Sequence, residues 1–168
     1  ISFHEDGTVV TYPMFAGLRR AERREEIIQD LKQEFNILQR LDFERYESKE
    51  QFLEGTGSMV LDRVNKIAYA CISPRTDAEV LDRWCSMMDY TPFTFVARYD
   101  GQEIYHTNVM MAVGTDVALV CLDAIASDLD RRIVRDELEA AGRHVISLTH
   151  EQVGEFAGNA LEVRGSGA

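Results

Sequence analysis

The sequence predicts an α/β protein assembled from a repeated strand–turn–strand–helix–strand unit. Three observations carry this. Three stretches place their apolar residues on one face at helical spacing. An apolar strand run stands directly before each of them. Val10, Ala70 and Leu119 hold matching places in those runs, 60 and 49 residues apart. A period of that length belongs to an array of modules rather than to one sandwich or one doubly wound sheet.

The first unit opens with the extended segment "ISFHEDG", turns at Asp6-Gly7 and continues into the strand run "TVVTYPM". Ile27, Ile28, Leu31 and Phe35 then share a helix face, and a weaker closing strand falls near "RLDFERY". The second unit has an extended segment in "LEGTGSMVLDR", a turn at Asn65-Lys66 and the strand "KIAYACIS". Its helix buries Val80, Leu81, Trp84, Cys85 and Met88, with Asp77 as N-cap, and "FTFVARYD" follows as a strand. The third repeats the order with "HTNVMMAVG", a turn at Gly114-Thr115, and "DVALVCLDAI". Ser127 caps its helix, Leu129, Ile133, Val134, Leu138 and Ala141 form the apolar face, Gly142 stops it, and "HVISL" closes the unit. The tail "FAGNALEVRG" reads as the opening segment of a fourth. The expected organisation is one domain, with modules at about 1–50, 51–103 and 104–155 and a truncated fourth at 156–168.

The chain has 168 residues and 45% apolar content, enough for a real core. Lys plus Arg is 18 against 29 for Asp plus Glu, a formal charge of −11, which argues against a nucleic-acid partner. The densest basic stretch, Leu18 to Arg24, is diluted by acids and reads as a solvated helix face. Three cysteines, Cys71, Cys85 and Cys121, lack CxxC spacing and lie in apolar settings. Buried reduced thiols and a cytoplasmic location are expected. No stretch has membrane-spanning length, so no membrane partner is expected. The opening "ISFHEDG" is no signal peptide, lacks Met and begins mid-strand in pattern. The chain is expected to be an internal piece of a larger gene product.

Polar residues recur at the start of each unit: His4-Glu5-Asp6, Glu54-Gly55-Thr56-Gly57, His106-Thr107-Asn108 and Gly158-Asn159. If the first strands face a shared centre, these clusters converge there. Singly, each has a plain structural reading. "HEDG" is a turn with an Asp-Gly signature, the glycines around Thr56 permit a tight loop, and one buried His is commonly a satisfied core residue. "HED" is no zinc motif, since it lacks the second His of HExxH, and His144 and His150 have no ligand spacing with it.

Five stretches in order, "ISFHEDGTVVTYPMFA…RR…ERR", "FLEGTGSMVLDR", "AYACISPRTD", "YHTNVMMAVG" and "FAGNALEV", resemble the guanidine-modifying, or pentein, superfamily. That group includes arginine deiminases, dimethylargininases and amidinotransferases. The resemblance is closest to the amidinotransferase-related citrulline-utilisation hydrolase type and runs from Ile1 to about Gly165. It implies an α/β propeller of five modules around a pseudo-fivefold axis, of which this chain would hold about three. It implies a Cys-His-Glu site acting on a guanidino or ureido substrate, with Glu54 as the acidic residue and His106 as the acid/base. Glu5 and Asp6 would hold substrate nitrogens. The family nucleophile is a Cys in the last module, and none of the three cysteines here sits in that context. By resemblance the chain alone is therefore expected to be inactive, and the rival reading is a non-enzymatic module that binds a partner or itself. No metal or organic cofactor is implied. Uncovered end faces of a partial ring make a homo-oligomer the expected state.

The implied chemistry explains the residue types. A guanidino or ureido carbon is a poor electrophile, so a thiolate is needed to attack it. A His protonates the leaving amine and later activates water. A carboxylate fixes the His tautomer. Paired carboxylates such as Glu5 and Asp6 suit a planar group rich in N–H donors. Guanidinium-hydrolysing relatives often carry His-x-Asp where this chain has His106-Thr107-Asn108. An amide both donates and accepts, so Asn108 tilts the expected substrate towards a ureido compound such as citrulline.

Overall fold

The computed structural model describes residues 1–163. The repeat predicted from the sequence is present as three separate three-stranded sheets of the same order. In each, the first strand runs antiparallel to the second, and a helical crossover returns the third strand parallel to the second.

The first unit comprises β1 (Ser2–Phe3), β2 (Thr8–Thr11), α1 (Gly17–Arg20), α2 (Glu25–Glu34) and β3 (Gln39–Asp42). All four β2 residues are buried, as befits the central strand of a partly parallel sheet. The second comprises β4 (Val60–Asp62), β5 (Ile67–Cys71), α3 (Ala78–Met88) and β6 (Thr91–Phe95). A small hairpin, β7 (Arg98–Tyr99) and β8 (Gln102–Glu103), leads on. The third unit is β9 (Met111–Val113), β10 (Val117–Val120), α4 (Asp128–Ala140) and β11 (His144–Ser147), followed by α5 (His150–Gly154).

The helix signals act as the sequence indicates. The Asp77 side chain accepts from the Val80 amide at 3.0 Å, and all five residues of the expected α3 face are buried. Ser127 caps α4 through the Asp130 amide at 3.2 Å, and Gly142 follows with φ +81°. Two helices depart from expectation. The first-unit helix is split into α1 and α2, and of its expected face only Ile28 is buried. Ile27 and Phe35 are exposed: Leu31 and Phe35 border a groove with Phe3, Ile37 and Leu38, and Ile27 lines a second cavity with Tyr12 and Met14. In α4, Leu129 lies in the first turn and projects to solvent.

Alternate residues of β5 feed two cores. Ala68 and Ala70 pack with Val10, Tyr12 and Trp84 on the side shared with the first unit. Tyr69 and Cys71 pack with Met110, Val120 and Leu138 on the side shared with the third. The second sheet is thus the middle layer of the molecule, and β4 and β9 lie beside one another.

Two expectations are corrected. The polar clusters do not ride on the opening strands: His4-Glu5-Asp6 lies in the turn after β1, Glu54 to Gly57 and His106 to Asn108 in the turns before β4 and β9, and Gly158-Asn159 in the tail. Gly55 has φ +61°, a conformation no strand holds, and the Thr107 hydroxyl takes the Cys71 amide at 2.8 Å within a 3-10 turn over Thr107–Val109. The tail forms no strand over Phe156–Val163, and residues 164–168 lie outside the described part. It packs instead against the third unit. Gly158 sits on the Val109–Met110 backbone with no room for a side chain, and Glu162 accepts from the Thr115 hydroxyl at 2.7 Å.

Candidate active site

Glu54 lies in the connector between β3 and β4, and His106 in the connector leading to β9. Both connectors are pinned by hydroxyls. Ser58 Oγ accepts the Glu54 amide at 2.8 Å and donates to the Arg75 carbonyl at 2.8 Å. Thr107 Oγ1 donates to the Ser58 carbonyl at 2.6 Å, and the Asn108 amide donates to the Gly57 carbonyl at 3.2 Å. These bonds bring the two side chains together: His106 Nε2 and Glu54 Oε2 are 2.7 Å apart, both residues being buried. An ionised Glu54 can only accept, so Nε2 carries the proton. The opposite edge of the ring faces Gly57, where a Cβ would stand 2.9 Å from Nδ1 and Cε1. The missing side chain keeps that edge clear.

The Glu54 carboxylate is anchored on both oxygens. Oε1 accepts the Phe15 amide at 2.9 Å, and Oε2 meets His106 and, at 3.5 Å, the guanidinium of Arg75. Burial alone raises its pKa, but the His106 and Phe15 hydrogen bonds and the charges of His106 and Arg75 outweigh that and hold it below the ordinary value. The pair borders a cavity of about 470 Å³ that is also lined by Thr56, Gly57 and Asn108. Arg19, Glu22, Arg23 and Arg24 line it too.

Of the five residues singled out from the sequence, the structure brings together Glu54, His106 and Asn108. It does not bring Glu5 and Asp6 to them. Those two border the separate groove of about 740 Å³ beside α2. They sit at the hairpin turn between β1 and β2, where Asp6 Oδ1 accepts the Thr8 amide at 2.9 Å. Hydrogen bonds from the Thr8 hydroxyl and then its amide lower the Asp6 pKa. "HEDG" is the plain Asp-Gly turn.

The sequence reading missed Arg75. Its guanidinium lies over the Tyr105 ring at 4.8 Å and the Phe15 ring at 5.7 Å. In sequence, Arg75 belongs to the matching stretch "AYACISPRTD", and nothing local to it reveals that the side chain reaches Glu54. The basic stretch also does more than face solvent. Arg23 donates to the Tyr12 carbonyl at 3.1 Å and pairs with Glu47 and Glu44, which fixes the segment before α2 against the cavity.

Cys71, Cys85 and Cys121 are free thiols, buried, and none lines the cavity. Burial pushes Cys71 up to about 11 and Cys85 up to about 12, so neither is a ready thiolate. Among the described residues no three His, Cys, Asp or Glu side chains gather as a metal-holding group. No helix of the described residues is long and apolar enough to cross a membrane.

The family model described as N,N dimethylarginine dimethylhydrolase, eukaryotic, matches residues 1–168. The chain belongs to that family. It is thereby a member of the amidinotransferase-related pentein superfamily. The fold of this family member is shared with solved structures. ArgZ in its apo form, an arginine dihydrolase from the ornithine-ammonia cycle in cyanobacteria, is 16% identical with a TM-score of 0.72 over 94% of this chain. The ternary complex of AgrE with ornithine and NAD+ is 17% identical with a TM-score of 0.72 over 94% of this chain. The N-terminal domain of ArgZ bound to substrate is 16% identical with a TM-score of 0.69 over 92%. The family member spans 23% of the ArgZ chain, 21% of the AgrE chain and 53% of the ArgZ N-terminal domain. No curated protein matches the sequence.

Proposed function

We propose that this chain forms the acid–base part of a covalent C–N hydrolase or amidinotransferase site for a guanidino or ureido substrate. The observation that carries the reading is the 2.7 Å contact between His106 Nε2 and Glu54 Oε2 at the wall of a cavity that Asn108 also lines. Family membership supports the same chemistry. In this reading the units at 1–50, 51–103 and 104–155 are successive members of a five-module ring, and 156–168 leads to a fourth.

A thiolate adds to the substrate carbon, and the C–N bond to the leaving amine breaks as the amine takes a proton from the His106 imidazolium. Neutral His106 then takes a proton from water, whose hydroxide adds to the thio-bound carbon, and the thiolate leaves. Glu54 holds the ring's tautomer and stabilises its charged form in the interval. Cys71, Cys85 and Cys121 do not border the cavity, so none of them supplies the thiolate in this scheme. Glu5 and Asp6 take no part in it. Asn108 both donates and accepts, which suits a ureido oxygen beside ureido N–H groups. The arginines lining this cavity stand in ion pairs, Arg19 with Glu22, Arg23 with Glu44 and Glu47, and Arg24 with Glu26. Three buried reduced thiols fit a cytoplasmic setting.

Calorimetric titration of the chain with L-citrulline and L-arginine tests this. Binding of either ligand, lost in His106→Ala and in Glu54→Gln, is expected. Absence of binding to both removes the reading.

One observation favours a second reading, a self-associating module. Phe3, Phe35 and Leu38 are exposed together along the groove beside α2. Light scattering at micromolar concentration decides it: a dimer that Phe35→Glu converts to a monomer supports self-association there, and a wild-type monomer rejects it.

A further inference from the structure

Arg75 is fixed in three ways that converge on the same carboxylate. Its carbonyl accepts from Ser58 Oγ, which also takes the Glu54 amide. Its amide donates to Ser73 Oγ at 3.1 Å, and that hydroxyl donates to the Tyr105 carbonyl at 2.8 Å, one residue before His106. Its guanidinium lies between the Phe15 and Tyr105 rings, and Phe15 is the residue whose amide holds Glu54 Oε1. The backbone of Arg75 is thus tied to both connectors of the site, and its charge ends 3.5 Å from the oxygen that His106 uses.

We infer that Arg75 is a positioning residue for the acid–base pair, a clamped cation that holds the Glu54 carboxylate in place for His106. The inference rests on the reading of Glu54 and His106 as that pair. The physics is direct. Glu54 is enclosed, and a buried carboxylate with one imidazole partner has lone pairs to satisfy. Arg75 and the Phe15 amide take the remaining sites, so the carboxylate can neither rotate away from His106 nor pick up a proton easily. The aromatic sandwich keeps the guanidinium from swinging to solvent, where a side chain about one third exposed would otherwise go. Tyr105 also packs against the His106 ring, 4.9 Å between centroids, so the clamp and the acid–base residue share a wall. The charged groups facing Glu54 are His106 and Arg75, with Arg19 reaching it more weakly from α1.

The test is a carbon-detected NMR titration of the Glu54 carboxyl in the full chain, without substrate. Arg75→Met keeps the apolar stem between the rings and removes the charge. The Glu54 midpoint is expected to move up, while the midpoint of Asp62, remote from the clamp, stays where it is. Arg75→Lys keeps a charge without the planar fork, and a smaller rise is expected. This milder variant also decides the matter if Arg75→Met does not fold. An unchanged or lowered Glu54 midpoint in either folded variant overturns the inference. Because no ligand is present, this result stands apart from the calorimetric test of the proposed function, and either can fail alone.

Discussion

Asp62 Oδ2 accepts a hydrogen bond from Arg143 Nη1 at 2.7 Å, joining the second unit to the third through side chains that are 0% and 4% exposed. Arg143 also donates to the Gly114 carbonyl at 2.8 Å, and Asp62 takes the Val64 and Asn65 amides. Removing one partner of such a pair leaves an uncompensated buried charge. Arg143→Met is expected to cost about 3–5 kcal/mol, measured by urea unfolding. The double variant Arg143→Met with Asp62→Asn should lose less than the sum of the singles. Strict additivity would show that the two do not act together.

Acid should weaken the fold through these same groups. Burial raises the Asp62 pKa, but the Asn65 and Arg143 hydrogen bonds and the Arg143 charge prevail and lower it; Glu54 is lowered for the parallel reasons given above. In each case the unfolded chain binds the proton more tightly. Their stabilisation is complete above the ordinary carboxylate range and is lost as pH falls through that range towards the folded values. Calorimetric melting from pH 7 down to pH 3 should show Tm falling, with most of the loss below about pH 5. A flat Tm would refute the assigned couplings.

The thiols should be inert until the chain opens. Ellman's reagent at pH 8 is expected to label Cys71, Cys85 and Cys121 at the rate of unfolding, with urea accelerating all three together. Raising the pH has the opposite linkage to that of the carboxylates. With folded values up at about 11 and 12 for Cys71 and Cys85, stability is full below the ordinary thiol value of 9.0 and declines above it. Fast labelling of one cysteine in the native state would contradict its burial.

Gly57→Ala is a sharp probe of the site. The backbone tolerates alanine there, but its methyl would stand 2.9 Å from the His106 ring. The ring must shift, at a cost of roughly 1–3 kcal/mol. The nitrogen-15 signature of the Nε2–H to carboxylate bond should change in the variant. An unaltered imidazole spectrum would mean that the glycine is there for another reason.

The chain by itself is expected to release no ammonia from L-citrulline or L-arginine at an enzymatic rate, since His106 and Glu54 have no thiolate beside them among the described residues. Turnover that His106→Ala abolishes would overturn this and would direct attention to one of the three buried cysteines.

Much of the architecture was legible because it rests on short-range chemistry. Asp77, Ser127 and Gly142 mark helix ends by hydrogen bonds within a few residues, and β2 and β5 announce themselves as apolar runs. The split of α1 from α2 was not, because Glu25 to Glu34 carries one buried residue and its apolar spacing is satisfied by a groove as readily as by a core. Glu54 and His106 were reachable through repetition and resemblance. Arg75 was not, since its role depends on rings at Phe15 and Tyr105 that lie 60 and 30 residues away in sequence. Glu5 and Asp6, a carboxylate pair that looks chemical in one dimension, lie in a hairpin turn apart from Glu54 and His106, because their side-by-side order in sequence says nothing of which cavity they border.

Glu54 and His106 both belong to joints, the first between the opening and middle sheets, the second between the middle and last. The helices α3 and α4 and the closing strands β6 and β11 line no part of the cavity beside Glu54 and His106. The rim can therefore lengthen, shorten or drift in composition while the joints keep their separation. An insertion at the far end of α4 adds bulk at the periphery and leaves the imidazole and carboxylate where they are. Growth of the molecule and upkeep of its chemistry are carried by different stretches of chain, so each is free to change on its own schedule.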